Sequence, residues 1–408
     1  MSILDEVTKR EVWEDFLDRK ISMQQLTRRE EKRLREYIEN ERYPVKPEDL
    51  TFSLPEKRVI SKFMSSKKRV VYTFTEDETW VLKLIAFLLY RYDDRLPDHC
   101  YSFRRNTGPK TAIRDISRIP GIENKYAVKL DIHNYFNSID IPILMDMLRK
   151  VITDDERLLA LFEEILTKDE CIYEGEIIRE KRGAMAGVPL ASFFANVYLM
   201  DMDFLFEDQG VPYFRYSDDI LLFADSEEEA YRSVGLVEEI LTSKKLEINP
   251  DKTRITDPGE IWEFLGFSYV EGKIDLAQST VRKMNRRIKV RANKLRRSRK
   301  VKGLSFEEAA TAMIRYFDRK FYDLFGTGEY TWTGFYFPVI TSTQGLARID
   351  SHMQMYLRFL YTGKHTKANF RVRYDDLKKL GYTPLVSEYY RWEEENRLLR
   401  DQNKRHNS

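Results

Sequence analysis

The segment Tyr213-Phe-Arg-Tyr-Ser-Asp-Asp-Ile-Leu-Leu-Phe-Ala224 constrains this chain more than any other stretch. It reads as two short aromatic and apolar strands joined by a tight turn that carries Ser217, Asp218 and Asp219. Adjacent aspartates at a hairpin tip are solvated in most proteins, because Asp favours turns by bonding its own backbone. A second strand upstream, Tyr126-Ala-Val-Lys-Leu-Asp-Ile-His-Asn-Tyr-Phe136, weighs against that reading. Its apolar run is that of a buried sheet strand, and it ends on Asp131. Asp131 beside Asp218 and Asp219 would concentrate negative charge at one sheet edge, which is costly unless divalent cations neutralise it. Hard oxygen ligands of this kind suit Mg2+, held by a few carboxylates together with substrate phosphates.

Composition frames these two strands. With 408 residues, 42% of them hydrophobic, and 24 Tyr and 24 Phe, the chain has material for a large core and roughly two or three compact units. A formal net charge of +2 names no partner by itself, whereas the distribution of charge does. Two cysteines, Cys100 and Cys171, give neither a disulfide framework nor zinc-ligand spacing, which fits a reducing compartment. The longest apolar run, Trp80 to Tyr90, holds Lys83 and is too short to span a bilayer. The N-terminus lacks a basic-then-apolar secretory pattern. A soluble cytoplasmic protein with no membrane partner is expected.

Apolar residues at helical spacing (Val12, Phe16, Leu26, Leu34, Ile38) predict two or three amphipathic helices at the N-terminus, read as a packing extension. Arg28, Arg29, Lys32, Arg33 and Arg35 leave RNA contact as the other reading. After Pro44, Pro47 and Pro55, the segment Lys57 to Phe74 predicts a hairpin whose turn presents Lys62, Lys67, Lys68 and Arg69 to phosphates. Helices are expected over 75–96, 110–118, 141–168 and 227–244, with a hairpin over 172–181 turning at Gly175. A Gly-rich turn from Gly183 to Gly187 enters an apolar helix, where backbone can approach a base pair closely. From Arg282 to Lys302 there are twelve Lys or Arg and no Asp or Glu, over a helical stripe of Val281, Met284, Ile288, Ala292 and Leu295. So one-sided a run repels itself without a polyanion, which favours nucleic-acid backbone over a merely solvated face.

The chain resembles reverse transcriptases. Tyr216-Ser-Asp-Asp219 matches their Tyr-x-Asp-Asp box and Asp131-Ile-His-Asn-Tyr-Phe136 their first palm aspartate motif, in the right order. The stretch His99-Cys-Tyr-Ser-Phe-Arg104-Arg105-Asn resembles the Ser-x-x-Phe-Arg signature of enzymes related to group II introns and retrons. Segments around Ile349-Asp-Ser-His352, Thr362-Gly-Lys-His365 and Leu380 to Tyr390 resemble the bacterial unknown-group, defence-associated type. The resemblance implies an α+β right-hand polymerase: a helical extension over 1–50, fingers over 51–125, palm over 126–274 with a fingers-associated insertion at about 141–182, and a helical thumb and C-terminal region over 275–408.

It also implies roles. Asp131, Asp218, the Ile132 carbonyl and, less directly, Asp219 would hold two Mg2+, with Mn2+ the alternative, and Lys252 would protonate departing pyrophosphate. Arg69 and Lys68 would grip the incoming dNTP, Phe136 would exclude a ribose 2′-OH, and Gly187 would lie under the nascent pair. Arg104 and Arg105 would face template. Phe264, Leu265 and Gly266 would form the primer grip, and Arg286, Arg287, Arg291 and Lys294 would track an RNA–DNA duplex. The expected reaction copies a structured noncoding RNA into cDNA, in antiphage defence. Ala186 before Gly187 and Ala191-Ser192 for Ser-Pro depart from the family pattern at the base-pair contacts. Ala186 and the many tyrosines keep open an untemplated or protein-primed polymerase, beside a retron or diversity-generating enzyme. A noncatalytic RNA-binding protein is the remaining alternative.

Overall fold

Residues 1–61, 68–322 and 331–406 are described by a computed structural model. Among them the strands are β1 (Glu56–Ser61), β2 (Lys68–Thr73), β3 (Tyr126–Asp131), β4 (Glu170–Tyr173), β5 (Glu176–Arg179), β6 (Tyr213–Tyr216), β7 (Asp219–Ala224), β8 (Arg254–Thr256), β9 (Trp262–Phe264), β10 (Phe267–Val270) and β11 (Lys273–Leu276). They form three sheets, in the orders β2-β1-β4-β5, β6-β7-β3-β8 and β11-β10-β9. The chain divides into two units, Met1–Pro258 and Gly259–Ser408.

In the first unit the middle sheet carries both aspartate strands. Val128, Leu130, Ile220, Leu221 and Leu222 are all 0% exposed, so β3 and β7 are covered on both faces. That explains why they read as continuous apolar runs rather than alternating ones. The register places Leu130 against Ile220 and Asp131 against Asp219, all antiparallel. The helix Glu227–Ser243 packs across β3 and β7 and buries Ala230, Val237 and Leu241. The predicted basic hairpin is β1–β2, and it pairs in parallel with β4, so the hairpin β4–β5 extends the same sheet.

The N-terminal helices are Ile3–Val7, Arg10–Ser22 and Arg28–Glu39, and the first and third begin on capping boxes, Ser2 with Asp5 and Thr27 with Glu30. They bury Trp13, Phe16, Leu34 and Tyr37 in the core shared with the helix Glu76–Leu88. Arg33 pairs with Glu76 and Arg35 with Glu31, so these cations serve the packing extension. The expected helix over 141–168 is two helices, Ile141–Val151 and Glu156–Thr167, the second capped by Asp155. The same Asp155 carboxylate accepts the Ile3 N–H at 2.7 Å and the Ser2 hydroxyl at 2.8 Å. An Asp able to cap a new helix and anchor the chain terminus ends the first helix where periodicity alone continues it.

In the second unit the meander β9–β10–β11 leads into helices Gln278–Lys302, Phe306–Phe321, Gln344–Thr362 and Leu385–His406. The predicted stripe Val281, Met284, Ile288, Ala292 and Leu295 is buried against Phe306–Phe321 and Gln344–Thr362. Arg282, Lys283, Arg286, Lys289, Lys294, Arg297, Lys300 and Lys302 are exposed on the other side. In the aromatic-rich stretch 331–338, Thr333 and Phe337 are buried, while Trp332, Phe335 and Tyr336 are half-buried. Among the described residues no helix is long and apolar enough to cross a membrane.

Candidate active site

The β6–β7 hairpin turns at Ser217, which adopts φ 60°, so the two aspartates sit at and just after the tip. The Ile132 N–H donates to the Asp218 carbonyl at 3.0 Å, and Asp131 lies opposite Asp219. All three carboxylates therefore stand at one end of the sheet, and their charges oppose one another. Burial pushes the Asp218 carboxyl up and Asp131 adds to it, while its own backbone N–H, Lys252 and Arg69 pull it down. Burial raises Asp219 to about 6, opposed by Lys129 and reinforced by Asp218 and Asp131. Two neighbouring carboxyls, Asp218 and Asp219, that hold protons this readily gain from a cation.

Asp131 already takes one. Lys252 Nζ donates to both of its carboxylate oxygens, at 2.6 and 2.5 Å, and Asn249 Nδ2 reaches Oδ1 at 3.2 Å. Asn249 also donates its backbone N–H to the Asp131 carbonyl at 2.7 Å. The turn Asn249-Pro-Asp-Lys252 is closed by the Lys252 N–H on the Asn249 carbonyl at 3.0 Å, so its position is fixed by the strand it serves. The sequence singles out Lys252; Asn249, which pins that lysine's loop to Asp131, carries no comparable signal.

Beneath the tip lies a polar network that the sequence does not disclose. Arg215 and Asp203 form an ion pair at 2.5 Å with both side chains 0% exposed. Tyr213 donates its hydroxyl to Asp203 at 2.7 Å, and Arg215 reaches the Asn196 carbonyl at 3.1 Å. Asn196 and Ser102 exchange two hydrogen bonds, at 2.6 and 2.7 Å, and the Ser102 hydroxyl accepts the Ser217 N–H at 3.0 Å. A buried pair costs desolvation that only full satisfaction offsets, so this network fixes one geometry for the turn above it. The one signal for it in the sequence is an arginine inside an aromatic strand.

Around Arg69, Phe136 and Gly187, the residues expected to bind the nucleotide, stands one more that the sequence does not mark. Asn137, next to Phe136 on the short helix Tyr135–Ser138, donates Nδ2 to the Val70 carbonyl of β2 at 3.2 Å. Its Oδ1 accepts the Ala186 N–H at 3.0 Å, and the Ala186 carbonyl accepts the Tyr72 N–H at 2.8 Å. The basic strand, the Gly-rich turn and the Asp131 motif are thus tied together. Gly183 packs on this junction, where a Cβ would fall 2.5 Å from the Phe136 carbonyl oxygen. Gly187 (φ 100°) lies against β2, its missing Cβ 3.1 Å from the Tyr72 carbonyl oxygen, so strand packing accounts for that glycine. Phe136 is half-buried, and Lys68 and Arg69 are exposed, with Arg69 near enough for its charge to act on Asp218. Lys62 and Lys67 lie outside the described residues.

Other expectations are corrected. Arg104, expected at the template, turns inward, donating to the carbonyls of Asp93 at 2.7 Å and Pro97, with its side chain 9% exposed. Phe103 beside it is 43% exposed and faces the Tyr216 ring at 5.9 Å. Phe103 adopts a positive φ of 55°. Arg105 remains exposed, over the Tyr90 ring at 5.4 Å. In the second unit Phe264, expected at the primer grip, is 0% exposed, its side chain packed in the core. Leu265 (φ 50°) and Gly266 (φ 89°) form the hairpin turn, where a Gly266 Cβ would meet Tyr336 Oη at 3.0 Å and Thr280 Oγ1 at 3.2 Å. Arg286, Arg287 and Lys294 are exposed on the basic helix, whereas the Arg291 guanidinium stacks on Tyr316 at 4.5 Å.

The donor set bears on what cation fits. Among the described residues no three His, Cys, Asp or Glu side chains converge as a closed metal cage. Asp131 and Asp218 fit Mg2+ nonetheless, because that ion takes one or two carboxylates and fills its shell with water and phosphate.

No curated protein matches the chain in sequence. Among solved structures, apo telomerase from Candida tropicalis truncated from its C-terminal domain aligns with 13% identity and TM-score 0.45, over 55% of each chain. Telomerase from Candida albicans in complex with the TWJ fragment of telomeric RNA gives 14% identity and TM-score 0.45, over 83% of this chain and 64% of that one. Apo telomerase from Candida tropicalis gives 11% identity and TM-score 0.48, over 81% and 60%. The chain thus spans between 55% and 64% of the length of these structures. The family described as reverse transcriptase (RNA-dependent DNA polymerase) matches residues 57–269, more than half of the chain and inclusive of Asp131, Asp218, Asp219 and Lys252. The chain belongs to the reverse transcriptase family and has its α+β right-hand polymerase fold.

Proposed function

We propose that the protein copies RNA into DNA by nucleotidyl transfer at the sheet edge formed by Asp131, Asp218 and Asp219. The pairing of Asp131 with Asp219, and of the Ile132 N–H with the Asp218 carbonyl, carries this reading, since it brings two distant segments of acid together. Asp131, Asp218 and the Ile132 carbonyl would hold two Mg2+, with Asp219 in support. When bound, such ions polarise phosphoryl oxygens and lower the pKa of the attacking hydroxyl.

The chain's own residues do the rest. Arg69 places positive charge against the triphosphate, where charge grows in the transition state. Lys252, half exposed at the Asp131 carboxylate, donates a proton to the pyrophosphate as it departs. The Phe136 ring abuts C2′ of the incoming nucleotide and disfavours a ribose. Exposed Arg286, Arg287 and Lys294 contact the backbone of the RNA–DNA duplex. Asp218→Ala is expected to abolish Mg2+-dependent dNTP incorporation on a primed RNA template while the melting temperature stays at or above the parent value. Retained incorporation removes the metal assignment.

We further propose that the template is a structured noncoding RNA and that the cDNA serves antiphage defence. The support is the sequence resemblance of Ile349 to His352, Thr362 to His365 and Leu380 to Tyr390 to the defence-associated type. Sequencing the nucleic acid that copurifies with the protein tests it: one abundant RNA with matching cDNA is expected, and a random transcript pool overturns it.

A further inference from the structure

The second unit holds a cavity of about 500 Å³, between the helix Gln344–Thr362 and the 3-10 turn Lys367–Arg371. Its volume lies within the roughly 300–1,000 Å³ of small-ligand sites, room for one nucleotide and not for a duplex. Met355, Arg358, His365, Lys367, Asn369 and Phe370 line it. Two chemistries meet on that wall. Phe370 is 74% exposed and Met355 40%, large apolar groups left open at the mouth. Around them the chain from Arg358 to Arg373 carries Arg358, Lys364, Lys367, Arg371 and Arg373, with no Asp or Glu.

The cavity floor is rigid. Asn369, buried, accepts the Thr362 hydroxyl at 2.6 Å and donates to the Lys364 carbonyl at 2.8 Å, which fixes the loop that bears His365. His365 stacks on Phe359 at 4.7 Å, and Arg296 of the basic helix lies over the same Phe359 ring at 5.8 Å. Arg296 also reaches the Gly363 carbonyl at 3.4 Å, so the cationic helix abuts the cavity rim. An apolar face large enough for a base, bordered by cations with no acid among them from Arg358 to Arg373, is the chemistry of single-strand binding. The Val372 carbonyl accepts the Arg358 Nε–H at 3.0 Å and holds that guanidinium in place.

We infer that this cavity seats one unpaired nucleotide of a single strand, its base on Phe370 and Met355 and its phosphates on Arg358 and Lys367. The inference extends the nucleic-acid part of the proposed function to a site remote in sequence from the aspartates, and its test needs no polymerisation. Fluorescence anisotropy of the full chain with a 12-mer single strand, once as RNA and once as DNA, reads it directly. Phe370→Ala should weaken binding about tenfold in at least one arm, the size of one lost base stack. Lys367→Glu should weaken it too and flatten its salt dependence. Both positions are exposed, so neither variant should melt lower. Tyr231→Ala, an aromatic residue 61% exposed in the other unit, should change nothing. Loss confined to RNA assigns the site to the template and loss confined to DNA to the product, and either supports it. Unchanged affinity of both Phe370→Ala and Lys367→Glu in both arms, or equal loss in Tyr231→Ala, overturns it. Failure of Asp218→Ala to abolish incorporation leaves this outcome untouched.

Discussion

Asn137 shows what a single side chain does between three segments. Both halves of its amide are used, on the Val70 carbonyl and the Ala186 N–H, so one residue fixes the distance from the basic strand to the Gly-rich turn. Asp131 is readable because a carboxylate ends an apolar strand, and Phe136 is marked only by the resemblance to the palm motif of reverse transcriptases. Asn137 is not, since a lone Asn in a short helix has many local uses. Arg104 misleads for a related reason: sequence shows a cation but not that three carbonyls around residues 93–100 wait for it. If Asn137 positions the Arg69 strand, Asn137→Ala should raise the KM for dNTP about tenfold, the value of one to two hydrogen bonds of net strength. The KM for primer–template should stay within about twofold, because the thumb cations are untouched. Steady-state kinetics varying each substrate in turn separates the two; a matched rise in both KM values would show a general folding defect instead.

At the scale of elements, period, caps and turns determine the helices and strands. The stripe Val281, Met284, Ile288, Ala292 and Leu295 is buried as its spacing demands, because nothing else could cover a face that long. What period cannot show is where a buried charge sits on an amphipathic helix. Asp318, on Phe306–Phe321, is raised by burial, and by Glu388 of the last helix, from 3.8 to about 6. The same two carboxylates, with Asp350, act on the buried Tyr322 hydroxyl next to them. The folded pKa lies above the unfolded one, so this group's stabilising contribution is full below about pH 4 and is lost as pH rises through about 6. At neutral pH Asp318 is therefore a destabilising charge. Asp318→Asn should raise the melting temperature at about pH 7.5 by about 2–4 °C, or about 1 kcal/mol after allowance for partial solvent screening. The gain should vanish near pH 4, where both side chains are neutral. A gain independent of pH, measured by calorimetry across that interval, would refute the assignment.

At the scale of the whole molecule, the meander decides where one unit ends. The family resemblance carries the palm to residue 274 and so includes most of this meander. Packing groups it with the C-terminal helices: the Ile274 N–H donates to Thr341 Oγ1 at 2.9 Å, and Asp275 accepts the Gly345 N–H at 3.1 Å on both oxygens. Gly345 sits so close to this strand that a Cβ would lie 2.8 Å from the Leu276 side chain. Such pairings join residues about 70 apart, beyond the reach of any local pattern. They also mean that the second unit has its own core. Among the described residues, the large apolar cluster of the first unit runs from Ile3 to Leu246 and takes nothing from beyond Ile255, while Ile288, Ala292, Ala309, Met313, Leu346, Ile349, Leu357 and Leu360 are each 0% exposed within the second. A segment of 150 residues with a separate core is of the size that folds unaided. The fragment Gly259–Ser408 should accordingly show helical circular dichroism and a single cooperative melt. A broad, non-cooperative melt would mean that its core depends on the first unit, and that the boundary after Pro258 is one of contacts alone rather than of folding.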